Sequence, residues 1–265
     1  MSLTRDTDNI NIFKDAAVYM AVSTSAPTNP TTVSTAFGAT WTHLGSLNGD
    51  AGITNERTWD ETNHFAWGQG KYRKGRKNYS EMRTITALEW NEGTAAIVDG
   101  SDSTSTDVYV NRGLLRYLAF EYTSDFDTTE RVFTTMPADL WVPNRDRNES
   151  DPSSLVITAE IFANGSNKLY TRQFEGIAQT VTIGGTPSGG TFTLSYRGAT
   201  TATIAYNAAN TAVDSALEAL STIGTGNVTV TGSAGGPYTV TGLEFLLTGS
   251  GTGLTPSGTV TVARA

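Results

Sequence analysis

Cysteine is absent from the 265 residues. That removes disulfides, thiolate nucleophiles and cysteine-based metal sites. Histidine is nearly absent too: His43 and His64 are the only two. Few side chains are left to act as a general base near neutral pH or to build a zinc site. No apolar run approaches the ~20 residues of a membrane span, so no membrane contact is expected. Residues Met1 to Asp15 are polar and charged, so no secretory leader is expected either. Basic residues are in deficit, 18 against 26 acidic ones, net −8; such a surface repels nucleic acid on average and favours solubility. No Gly-x-Ser-x-Gly elbow occurs. Gly249-Ser250-Gly251-Thr252-Gly253 lacks the Lys-Ser/Thr of a phosphate cradle and is expected to be a turn between strands. No enzyme chemistry and no cofactor is expected.

What is present divides near residue 180. Residues 1–180 carry 16 of the 18 basic and 23 of the 26 acidic residues, and all five tryptophans. Residues 181–265 carry 15 glycines and 19 threonines but only two basic and three acidic residues. So sharp a shift predicts a domain boundary, 1–180 and 181–265.

Both segments alternate like strands. Ala16-Val18-Met20-Val22, Leu118-Phe120-Tyr122 and Leu155-Ile157-Ala159-Ile161 each recur with period two. A hairpin turn is expected at Asn164-Gly165, leading into Leu169–Phe174. In the C-terminal segment, strands are expected at Thr191–Tyr196, Thr203–Tyr206, Asn227–Thr231, Tyr238–Thr241, Glu244–Thr248 and Thr259–Val262. Two helices interrupt them. Asn91–Ile97 is a short candidate. Val213, Ala216, Leu217 and Leu220 fall at i, i+3, i+4 and i+7, with Asn210 or Thr211 to cap, Asp214 in the first turn and Gly224 past the end. The expected fold is mainly β: a larger N-terminal sandwich or barrel with one flanking helix, and a smaller β-rich module containing one helix.

Between Leu47 and Arg83 the chain is polar without a clear period, which predicts a long loop of the kind that carries contacts. Lys71-Tyr72-Arg73-Lys74-Gly75-Arg76-Lys77 puts five basic residues in seven. Lys71, Arg73, Lys74, Arg76 and Lys77 are candidates for an electrostatic contact, more with acid on an identical neighbour than with nucleic acid, because the chain has acid to spare. Asp60, Glu61 and His64 could hold a metal only if a helix put them on one face. Asp99, Asp102 and Asp107 miss the every-second-residue oxygens of a calcium loop. No metal is expected at either place.

Trp41-Thr42-His43-Leu44-Gly45-Ser46-Leu47, followed by Asp50-Ala51-Gly52-Ile53-Thr54, resembles a signature near the start of the major tail proteins of long-tailed bacteriophages; here Ala51 intervenes between Asp50 and Gly52. Phe65-Ala66-Trp67-Gly68, Tyr72-Arg73 and Thr84–Glu92 follow in that family's order, so the resemblance spans roughly residues 10–180. Independently, Gly190–Leu194, Thr203–Ala208, Ala216–Gly224, Asn227–Val230 and Gly235–Val240 resemble a small module appended to virion proteins of actinobacterial phages. The resemblance implies a tail-tube subunit that passes from the host cytoplasm into the virion tail. Six copies would form a ring, rings would stack, and the long loop would bridge one ring to the next. The C-terminal module would decorate the exterior. Partners would be other copies of itself, with tape measure, tail terminator and baseplate proteins, and genomic DNA sliding through the lumen. Two alternatives stay open: a baseplate or minor tail subunit, or a glycan-binding module stacking sugar on Trp41, Trp59, Trp67 or Trp141.

Overall fold

The computed structural model describes residues 12–68, 70–100, 104, 106–125, 128–145 and 154–265. Asp102 lies outside them. The chain is mainly β, with 18 strands and two helices among the described residues. It divides into two compact units, Met1–Gln173 and Phe174–Ala265. The composition break at 180 falls inside a strand of the second unit.

The first unit holds β1 (Phe13–Ala21), β2 (Trp41–His43), β3 (Ile53–Ala66), β4 (Gly70–Ala87), α1 (Glu92–Asp99), β5 (Leu114–Arg116), β6 (Leu118–Ser124), β7 (Thr129–Thr134), β8 (Ala138–Trp141), β9 (Leu155–Ile161) and β10 (Tyr170–Phe174). They form two five-stranded sheets, ordered β10-β7-β6-β1-β2 and β3-β4-β9-β8-β5. Val18, Met20, Leu118, Phe120 and Val132 of the first share one core with Ile85, Leu140, Ile157, Ala159 and Ile161 of the second, so the sheets pack face to face as a sandwich. Strand β9 shows why: Leu155, Ile157, Ala159 and Ile161 are buried, and the residues between them are not. Ala119 points the other way, into a smaller cluster with Ala21, Trp41 and Phe133. Helix α1 follows its expected site. Asn91 accepts from Thr94 N–H at 3.0 Å, Thr94 Oγ1 accepts from Asn91 N–H at 2.9 Å, and Ile97 enters the core.

Two expectations for this unit are corrected. Asn164-Gly165 does not close a hairpin: β9 pairs with β4 and β8, whereas β10 pairs with β7 in the other sheet. The turn, held by Asn164 N–H to Lys168 O at 3.0 Å, carries the chain from one sheet to the other. The polar stretch 47–83 is not a loop either. It is mostly the long strands β3 and β4, and its burial period is missing because neither face of their outer part meets a core.

The second unit holds β11 (Ile177–Gly184), β12 (Gly189–Tyr196), β13 (Ala199–Thr200), β14 (Ile204–Ala205), α2 (Asn210–Glu218), β15 (Thr229–Gly232), β16 (Tyr238–Leu243), β17 (Thr248–Thr255) and β18 (Thr259–Arg264). One sheet runs β15-β16-β11-β18; in the other, β12 carries β13 and β14 along one edge and pairs with β17. Phe192, Leu194, Tyr238, Val240 and Val181 fill a separate core, closed by Val213 and Leu217 of α2.

Three details differ from expectation. Ala209 is the N-cap of α2, without a side-chain bond. Asn210 Nδ2 instead donates to Val230 O at 3.0 Å, and Asp214 accepts from Val230 N–H at 2.9 Å; both side chains tie the helix to β15. Glu244–Leu247 bends, and the strand begins at Thr248. Gly249–Gly253 is the body of β17, not a turn. A Cβ at Gly249 would lie 2.3 Å from Val260 Cγ1, and one at Gly253 would lie 2.7 Å from Thr191 O. Close backbone approach, not chain reversal, requires those glycines.

Candidate assembly interface

Strands β3 and β4 pair antiparallel from Ile53↔Ile85 out to Ala66↔Gly70, with breaks in register between Thr58 and Asp60 and between His64 and Phe65. Strand β4 also pairs with β9, but only over Glu81–Ala87. Beyond that point the two strands stand alone as a ribbon, and Thr54–Phe65 and Gly70–Tyr79 are exposed except Gly75. A two-stranded hairpin without a face to bury is marginal in water. This one carries exposed aromatics along its length: Trp59, Phe65, Trp67, Tyr72 and Tyr79.

The basic run occupies the outgoing half of β4, and the structure splits it. Lys74 bonds Glu61 across the ribbon, and Arg76 Nε lies 3.4 Å from the same carboxylate. The Lys74 bond, above all, holds Glu61 below the usual carboxylate range. Arg76 also sits over the Trp59 ring at 5.2 Å. Lys71, Arg73 and Lys77 form no ion pair among the described residues and face solvent. Lys74 and Arg76 thus brace the ribbon across its two strands, and the other three do not.

At the root of the ribbon lies a polar cluster outside the candidate residues drawn from the sequence. Tyr79, Glu81 and Arg83 share one face of β4, opposite Arg57 and Asn55 of β3. Glu81 is fully buried. Its carboxylate accepts from Tyr170 OH at 2.6 Å, Asn55 Nδ2 at 3.0 Å and Tyr79 OH, and lies 3.2 Å from Arg57 Nε. Arg83, also buried, lies 3.6 Å from it, donates to Tyr122 OH at 3.0 Å and stacks 4.2 Å over Phe120. Burial pushes the Glu81 pKa up, but the tyrosine bonds, Arg57 and Asn55 together outweigh it and the net shift is downward. The cluster therefore adds stability in full above pH 4.5, the ordinary value, and loses it as pH falls through the lower folded value. Tyr79 is pushed up to about 12, by burial first and then by its bond to Glu81. Its contribution is present below pH 10 and fades as pH climbs toward that value. The expected result is a melting temperature that drops on acidification below about pH 4.5, with a shallower drop in Glu81→Gln; scanning calorimetry across pH 3–6 measures it.

Beside the root is a groove of about 780 Å³ lined by residues 13–17 of β1, the segment Gly45–Gly49 with Gly52 and Ile53, and His43, Tyr122 and Glu130. Strand β2 covers β1 only at Tyr19–Ala21. Among the described residues the stretch Phe13–Ala17 therefore has no strand partner on the groove side, and Ala16 N–H there turns to the Asp15 side chain at 2.9 Å. The Trp41–Leu47 motif shapes one wall. Trp41 and Leu44 are buried. Gly45, at φ +87, lies so near Glu89 that a Cβ would be 2.6 Å from the Glu89 Cβ. Glu89 in turn accepts from Ser46 N–H at 2.9 Å, which pins the wall to the end of β4.

The other candidate residues are scattered. Asp60 and His64 share a strand, four residues apart and so ~13 Å along it; Glu61 points to the opposite face, and Asp60 is bonded by Asn78 Nδ2 at 2.7 Å. Asp99 ends α1, and Asp107 belongs to a turn closed on Thr104. Among the described residues no three acidic or histidine side chains come together as a metal site. Of the tryptophans, Trp41 is core, Trp141 is half-buried, and Trp59 and Trp67 lie on the ribbon.

No family model matches the chain, and no curated protein does. Among solved structures, part of the chain is similar to a chain from Mycobacterium phage Patience, with 20% identity and a TM-score of 0.26 over 46% of this chain and 65% of that one.

Proposed function

We propose that this chain is a structural, non-catalytic subunit of a long-tailed phage tail, the repeating unit of its tube. The exposed ribbon carries the proposal. Its aromatic surface and its unsupported strands make sense only against a partner. In the resembling family, the corresponding segment bridges stacked rings. Among the described residues the sandwich also ends its sheets at β2, β3, β5 and β10 without a further strand, and pairing such edges between copies in a ring removes the hazard they pose. A ring of six follows from the resemblance. The acidic balance suits a conduit through which DNA slides, since few phosphate contacts can form. Tape measure, terminator and baseplate proteins would meet the ends of the tube.

Negative-stain electron microscopy and light scattering across a concentration series test this. Stacked rings or hollow tubes are expected. A finite ring would instead fit a baseplate subunit. A monomer at every concentration would overturn self-assembly, and cell-wall pull-down would then test sugar stacking by Trp59 and Trp67.

A further inference from the structure

We infer that the groove beside the ribbon's root is a socket for the ribbon tip of a second copy, with Trp67 as the plug. The inference rests on the tube assembly proposed above and names the contact that would drive it.

The tip needs a receiver. Phe65 is 69% exposed, Tyr72 65% and Trp67 wholly so. Aromatic side chains bury about 150–250 Å² each, so three offer roughly 450–750 Å². That approaches the ~800 Å² per partner of a stable interface. Nothing in the ribbon itself can cover them, because both of its faces are open.

The groove has the matching size and walls. Its volume, about 780 Å³, lies in the range of sites that enclose a bound group. Phe13 and Tyr122, with ring centroids 5.7 Å apart, form one wall; Leu47 and Ile53 form another. Glu130 is already held by Arg172 at 2.6 Å. Asp15 keeps one carboxylate oxygen beyond its bond to Ala16 N–H, which suits Lys71 or Arg73 of the incoming tip.

The tip does not sit in the socket of its own chain. Ile53 is on the socket wall, and Ala66 is 13 residues farther along β3. At ~3.3 Å per residue the tip stands up to ~43 Å away. Pairing with β4 continues to Ala66↔Gly70, and Trp67 just beyond it is wholly exposed, so the tip leaves the socket of its own chain unfilled. A plug and a socket at opposite ends of one arm make a head-to-tail contact, which repeats along an axis when the rotation between copies does not close it into a ring. The arm then sets the repeat: ring spacing should be at most ~43 Å, less the depth of insertion and the bends at the two register breaks.

The cross-link between Lys14, which lines the socket, and Lys71, at the tip, tests this on the unaltered protein. Equal parts of ¹⁵N-labelled and unlabelled chain are assembled, treated with a short amine-reactive cross-linker and analysed by mass spectrometry. A Lys14–Lys71 link is expected, confined to the assembled fraction and joining labelled with unlabelled chains. A second variant fills the socket. Gly49 lines it, and a Cβ there would meet nothing within 4 Å, so Gly49→Trp should melt like the parent and grow no tubes. Tubes that lack the Lys14–Lys71 link, or normal tubes from folded Gly49→Trp, would overturn the socket and spare the tube. A monomer under all conditions would overturn both.

Discussion

Replacing Glu61–Arg76 with Asn-Gly is expected to abolish tube growth completely while leaving a folded monomer. Asp60 and Lys77 face each other across the ribbon, so a two-residue type I′ turn can join them with the twist that a hairpin requires. The excision removes Phe65, Trp67 and Tyr72, all exposed, along with Lys71 and Arg73. None of them touches either core. Their loss should therefore leave both cores, and with them the cooperative melt of the monomer, in place. Circular dichroism melts and electron microscopy on the same preparation separate the two effects. Tubes of normal diameter from the shortened chain would show that the ribbon is dispensable. Reversing only Lys71, Arg73 and Lys77 is the finer probe, because reversing Lys74 and Arg76 would also break their pairs with Glu61.

The largest effect on stability is expected from Glu81→Ala. Removing one partner of a buried ionic cluster leaves the other charge uncompensated, at a cost of about 3–5 kcal/mol. Arg83 is the charge left behind; it is only 7% exposed and wedged against Phe120 and Tyr170. Tyr170 and Tyr79 would lose their acceptor as well. For a unit of this size each kcal/mol moves the melting temperature by roughly 2–4 °C, so a drop of about 6–20 °C is expected. Glu81→Gln keeps an acceptor and should lose less. A parent-like melt for Glu81→Ala would mean that water reaches the site and the cluster is not buried as described. Because Glu81 and Arg57 are the last tightly held pair before the ribbon leaves the sheet, loss of the cluster should also loosen the arm. Faster hydrogen exchange at Asn55, Arg57 and Arg83 than in the rest of the sheet would report it.

The buried strands were legible wherever one face meets a core. In β9 the alternation is the fold, whereas β6 buries both faces at its start, Leu118 and Phe120 in the main core and Ala119 in the smaller cluster. The two helices were legible for the same reason, since Ile97, Val213 and Leu217 are apolar at helical spacing and buried. The ribbon reads as a loop in the sequence because hydrophobic period reports burial, and a strand exposed on both faces has none. Its register is carried by cross-strand pairs such as Glu61 with Lys74 and Arg76, which join residues 13 and 15 positions apart and leave no local signature. The root cluster did leave one: Tyr79, Glu81 and Arg83 alternate with Ser80, Met82 and Thr84, which puts three polar residues on one strand face. Glu81 and Tyr170, 89 positions apart, are joined only by the fold. The groove was invisible because its walls come from segments that share no pattern. The glycines of β17 misled in the opposite direction, since glycine marks close approach as readily as it marks a turn.

Between β10, which ends at Phe174, and β11, which begins at Ile177, only Glu175 and Gly176 intervene. Each side of this joint has its own complete hydrophobic core. Gly176 belongs to the second side, where a Cβ on it would collide with Gly242 at 2.3 Å. For heredity this makes the joint a seam. A recombination event in the codons just after Phe174 would exchange or delete everything downstream as one cassette, without altering a single residue of the sandwich strands or the ribbon. The same seam offers a place to graft a foreign domain onto the sandwich, one copy for every chain.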